Sequence, residues 1–168
     1  MPVAVFRNAP RSPDCDTRTV KRRAERMLSA LHERGAELSV MLTDDVSIHV
    51  LNAKHRRKNK PTDVLAFPMD TEGVSPKGAV RLLGDVVISL DTAGRQAKAH
   101  RHPLLTEVTL LLAHGLLHLV GYDHRTDKEE RVMNAEAARL VALSTRASLG
   151  QRTLSRRLRD RPLTSRAR

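Results

Sequence analysis

The chain has one cysteine, one tyrosine, two phenylalanines and no tryptophan among its 168 residues. A lone Cys15 excludes an internal disulfide and an all-cysteine zinc site, and it fits a reducing compartment. With so few aromatics the core must be built from Leu, Val, Ile, Ala and Met, and heavy reliance on base stacking is excluded. Long apolar runs are missing too. The greasiest stretch, V-T-L-L-L-A-H-G-L-L-H-L-V at residues 108–120, is interrupted by two histidines. It falls short of the roughly 18 apolar residues that a membrane span needs. The N-terminal M-P-V-A-V-F-R carries no apolar signal region. The expectation is a soluble, cytoplasmic protein without a membrane partner.

Negative charge is also scarce. Lys and Arg outnumber Asp and Glu by 30 to 19, for a net charge of +11 and a pI near 10.9. Such a balance points to a polyanionic partner; on charge alone RNA, DNA, an anionic surface and a merely solvated basic face all remain open.

The length suits one domain with a real core. Val3 and Val5 predict a short strand, and Asp16 an N-cap for a helix with Val20, Ala24, Met27, Leu28 and Leu31 on one face, ended by Gly35. Leu38, Val40 and Leu42 alternate as in a strand, and Thr43-Asp44-Asp45 opens a short helix to about Asn52. Asp63 to Phe67 and Leu83 to Ile88 read as strands joined by a long hairpin-like connection with Gly73, Pro76 and Gly78. Helices are expected over Asp91–Arg101 and Leu104–Val120, the latter ended by Gly121. A capping box, Thr126 with Glu129, opens a last helix with Val132, Met133, Leu140 and Val141 inward. The domain is expected over 1–149, followed at 150–168 by an arginine-rich, disordered tail that either grips phosphates or only adds solubility.

The informative stretch is H-G-L-L-H-L-V-G-Y-D-H, His114 to His124. Residues four apart on a helix lie about 5–6 Å apart at Cβ, so His114 and His118 can converge on one ion. Gly121 can take a left-handed turn that returns His124 to the same point. This spacing is that of the metzincin zinc proteases, and three protein ligands leave a fourth position open, the catalytic rather than the structural pattern. In those proteases a glutamate follows the first histidine; here the position is Gly115, which disfavours peptide hydrolysis by that route. Phosphodiester chemistry tolerates the change better, because a metal and a cation can share the stabilisation of phosphoryl charge. Candidate cations crowd one loop: Lys54, Arg56, Arg57, Lys58 and Lys60. Asp85 and Asp123 are candidates to orient the ligand imidazoles from behind, or else cap and turn residues.

Together H-G-L-L-H-L-V-G-Y-D-H, P-T-D-V-L-A-F-P and L-G-D-V-V-I-S, in this order, resemble the YbeY family of bacterial endoribonucleases over about Val3 to Leu143. The resemblance implies an α+β fold, a small mixed β-sheet packed by helices, with a zincin-like metal-binding helix followed by a glycine turn. It implies one Zn²⁺ per chain on His114, His118 and His124. It further implies a single-strand-specific endoribonuclease acting on rRNA precursor in 16S rRNA 3′-end maturation and ribosome quality control, with the small ribosomal subunit and its assembly factors as partners. The family's N-x-x-Y-R pattern falls on Asn52 to Arg56, making Arg56 the implied phosphate contact and catalytic residue. His55, Asn59 and Ala66 stand where Tyr, Asp and Ser are usual. Two other readings stay open: a non-catalytic assembly factor whose metal staples the fold, and a metallopeptidase drawing its carboxylate from Glu107, Glu129 or Glu130.

Overall fold

Side-chain alternation along four strands sorts the apolar residues of this α+β chain onto two faces of one sheet. In the computed structural model, residues 3–69 and 79–159 are described, 147–159 as helical backbone alone. The elements are β1 (Val3–Arg7), α1 (Thr17–Ala30), β2 (Glu37–Thr43), α2 (Asp45–Arg56), β3 (Val64–Pro68), β4 (Leu82–Ser89), α3 (Leu90–His100), α4 (Leu104–Leu119) and α5 (Asp127–Arg159). The sheet order is β1-β2-β4-β3, with β1, β2 and β4 parallel and β3 antiparallel at one edge. Leu38, Val40, Leu42, Ala66, Val86 and Ile88 face the large core shared with α1, α4 and α5, whereas Leu65 and Val87 pack on Ile48 of α2 behind.

The helix starts follow local hydrogen bonding. Asp16 accepts from the Thr19 amide at 3.0 Å and Asp44 from the Ser47 amide at 2.8 Å. Thr126 and Glu129 form the expected capping box, each side chain accepting from the other's amide at 3.2 Å. Four local expectations need correction. Helix α2 runs on to Arg56 rather than ending near Asn52, so Lys54 and Arg56 stand on its last turn and not on the loop. Helix α1 ends at Ala30, because His32 (φ 58°) takes the left-handed closing position ahead of Gly35. Helix α3 begins at Leu90, capped by Ser89, whose hydroxyl accepts from Thr92 at 3.2 Å. On α5, Met133, Ala137, Leu140 and Ser144 are the buried stripe, which rotates Val132 outward to 52% exposure. The connection holding Gly73, Pro76 and Gly78 lies outside the described residues, as does 160–168; over 150–159 the α5 backbone continues. Among the described residues no helix is long and apolar enough to cross a membrane.

Helix α4 is buried on most of its circumference, from Glu107 to Leu119. Its close approach to the sheet occurs at Gly115, where a Cβ would stand 2.6 Å from Val86 Cγ1 and 3.3 Å from Val64 Cγ2. Both contacts are methyls of β-branched side chains, and Val86, the nearer, is fully buried and has no room to swing away. Gly115→Ala is therefore expected to destabilise by about 1–3 kcal/mol through overpacking, more than offsetting the roughly 1 kcal/mol of helix propensity it gains. Adding Val86→Ala should recover part of that loss, a coupling that chemical denaturation of the four proteins in the double-mutant cycle would read.

Candidate metal centre

The C-terminus of α4 is closed by two amides. Gly121 (φ 103°) donates to the His118 carbonyl at 3.2 Å and Tyr122 to the Leu117 carbonyl at 2.9 Å, the paired bonds of a Schellman motif. The turn brings the Tyr122 carbonyl 3.1 Å from His118 Nδ1. A carbonyl can only accept, so Nδ1 carries the proton and Nε2 offers its lone pair outward, the usual arrangement of a metal-ligating histidine. His124 follows, its ring centroid 5.1 Å from that of His118 at an interplanar angle of 67°. Donor atoms of His118, His124 and Asp123 lie within 4.8 Å of one another. His114 sits one turn earlier on the same helix and lines the same cleft.

Burial pushes His114 below the ordinary imidazole range; the nearby Asp63 charge opposes this and His124 reinforces it. Burial likewise lowers His118, helped by His124 and opposed by its bond to Tyr122 and by Asp123. Neutral imidazoles are what a zinc ion takes as ligands, and a set of nitrogens with one adjoining carboxylate suits it chemically. Asp123 does not sit behind a ring: Oδ1 accepts the His124 amide at 2.8 Å and Oδ2 pairs with Arg125 at 2.7 Å. The bond from the His124 amide holds its carboxyl below the usual range; burial opposes this, and the charge of Arg125 assists it.

These histidines line a cleft of about 1140 Å³ that Arg56, Lys58 and Lys60 also line. Arg56 Nη2 donates to the Ala66 carbonyl at 3.0 Å. Because Ser89 bonds to Asp63 and Met69 to Leu83, the alternation of an antiparallel ladder turns Val64, Ala66 and Pro68 toward the free edge. Arg56 thus takes an edge carbonyl, while Asp63 Oδ1 accepts the Val64 amide at 2.7 Å. Asn52, buried, fixes the basic loop by donating to the Lys60 carbonyl at 2.8 Å. His49 meets Asn59 at 2.7 Å, and His55 sets its ring edge-on to Phe67 at 4.9 Å. Lys54 and Arg57 are exposed and do not line the cleft.

Asp85 is not brought to the histidines. Its neighbour Val86 faces Gly115, so alternation turns Asp85 to the opposite face, where it lines a smaller cavity with Phe6 and Met69. Sequence reasoning missed Asp63 and Asn52 as site residues. Asp63 stood inside the P-T-D-V-L-A-F-P motif, and Asn52 was a polar residue on the inward side of a short helix. Among the other carboxylates, Glu129 is engaged in the capping box, Glu107 pairs with two histidines, and Glu130 lines the cleft.

With both pKa values depressed in the folded chain, the unfolded chain binds more protons below the usual imidazole pKa of about 6.5. Stability of the metal-free protein should fall as pH drops through that value toward the folded pKa values. Replacing His114 and His118 by Gln should flatten this acid limb, as thermal melts between about pH 7 and pH 5 would read.

Residues 6–144 match the family described as endoribonuclease YbeY. The chain is 51% identical over 111 residues to the endoribonuclease YbeY of Aquifex aeolicus (strain VF5), across 66% of this chain and 71% of that protein. It is 50% identical over 110 residues to the endoribonuclease YbeY of Rhodopseudomonas palustris (strain ATCC BAA-98 / CGA009), across 65% of this chain and 58% of that protein. The solution structure of a Thermotoga maritima protein shares the fold with a TM-score of 0.58 at 22% identity, covering 98% of this chain and 99% of that one.

Proposed function

The chain belongs to the YbeY family, and from that premise we propose that it is a metal-dependent, single-strand-specific endoribonuclease of the cytoplasm. Its proposed task is 16S rRNA 3′-end maturation and ribosome quality control, on rRNA precursor and beside the small ribosomal subunit and its assembly factors. The observation that carries the reading is a single cleft lined both by the three histidines and by Arg56, Lys58 and Lys60.

His114, His118 and His124 would hold a single Zn²⁺, with Asp123 adjoining. When bound, the ion supplies Lewis-acid polarisation of a phosphoryl oxygen. The chain's own residues do the positioning. Asp63 places negative charge near His114, which favours a cation held by that ring. Arg56 offers its remaining N–H groups to the scissile phosphate from a guanidinium already anchored on Ala66. Lys58 and Lys60, on a loop tied down by Asn52, neutralise neighbouring phosphates. With so few aromatic side chains, grip falls on the RNA backbone rather than on stacked bases.

The rival role for an ion, stapling the turn to α4, finds little left to do. The Gly121 and Tyr122 amides and the His118 imidazole already close that turn. Cleavage of a labelled single-stranded RNA spanning a small-subunit rRNA 3′ end is the test, using proteins verified as folded. His118→Ala should abolish cutting, and Arg56→Ala should slow it by about 100-fold or more, with Arg56→Lys restoring only part. Undiminished cutting by His118→Ala would reject a cutting step that depends on the histidine-bound metal. Deleting residues 151–168 should weaken RNA binding and flatten its dependence on log salt; an unchanged slope removes the tail from the interface.

A further inference from the structure

Two helical turns before His114, a different group of donors converges. Donor atoms of His100, His102 and Glu107 all lie within 4.8 Å of one another. His100 Nδ1 is 3.2 Å from Glu107 Oε2, and His102 Nε2 closes on the same oxygen. The two rings stand 5.4 Å apart at 53°. Their convergence is built by the corner between α3 and α4. Helix α3 ends at His100, and Arg101 turns left-handed (φ 56°) with its amide 3.2 Å from the Lys98 carbonyl. The His102 amide then donates to Ala97 at 3.1 Å, and Pro103 starts α4, whose first turn carries Glu107.

The burial is graded. Glu107 is only 5% exposed, His102 24% and His100 59%, so a carboxylate embedded in the core opens through two imidazoles toward solvent. A buried carboxylate is unfavourable without a positive partner. Two histidines and one glutamate also form an open ligand set of the kind that binds zinc with a coordination position left free. His100 and Glu107 line the same cleft as His114. Seven residues of helix separate Glu107 from His114, a rise of about 10 Å, well beyond the roughly 3.5–4 Å between the ions of a two-metal centre.

We propose that His100, His102 and Glu107 are a second divalent-cation site, selective for Zn²⁺ and similar ions that favour nitrogen and carboxylate ligands, independent of the three-histidine centre. The ion would place a fixed positive charge farther along the cleft. Only what that charge would hold, a phosphate of the same strand, rests on the nuclease reading; its binding does not.

The probe is Zn²⁺ alone, without RNA, titrated into the full chain at neutral pH, with bound metal measured after equilibrium dialysis. Wild type should bind two ions, and His114→Ala/His118→Ala should keep one. His100→Ala, a change at a largely exposed side chain, should weaken one site by about tenfold or more. Glu107→Gln should do the same if it folds, whereas His32→Ala, at an exposed histidine elsewhere, should change nothing. One ion in wild type and none in the folded His114→Ala/His118→Ala protein would overturn the proposal. So would equal losses from His100→Ala and His32→Ala, which would mark binding to scattered surface histidines. Retention of the second ion by a chain that cuts no RNA would leave this site standing and remove the nuclease reading.

Discussion

The contact of Gly115 with Val86 and Val64 sets the rotation of α4 about its own axis. A helix with any side chain at that position would have to stand off from the sheet or turn. With the glycine against β4, His114 and His118 on the same helix line the cleft. The same contact explains why no glutamate follows the first histidine. A side chain there would drive into the valines rather than reach a metal, so the chemistry that glutamate serves in peptide hydrolysis has no place to be installed.

Much of the site was legible because it depends on short-range geometry. Four-residue spacing on a helix and a glycine able to turn left-handed are enough to place His118 and His124 side by side, and both rules are local. What stayed hidden depends on tertiary register. Strand β4 is central and buried on both faces over Val86 to Ser89, so its sequence lacks the alternation that would have turned Asp85 away from the histidines. Val132 was misplaced because it and Met133 are adjacent, and only the docking of α5 decides which of them faces in. The His100, His102 and Glu107 cluster needs the left-handed Arg101 corner, for which no glycine gave warning.

Charge is distributed by the same scaffold. The surplus of cations is not a diffuse coat at the cleft: His49 and Asn52 bond to Asn59 and to the Lys60 carbonyl, and Lys58 and Lys60 line the same cleft as the histidines. The replacements at 55 and 66 fit this frame. His55 supplies an aromatic edge to Phe67, and at Ala66 the group that matters is a backbone carbonyl, which any residue provides.

That carbonyl has a second significance. An exposed sheet edge is a template on which another polypeptide can add a strand, the first step of many aggregation reactions. Along β3 the outward Val64 amide is occupied by Asp63, the outward Ala66 carbonyl by Arg56, and Pro68 has no amide to offer. Arg56, the proposed phosphate contact, therefore also occupies a carbonyl of that edge. Losing it would free the Ala66 carbonyl for strand addition as well as remove a charge.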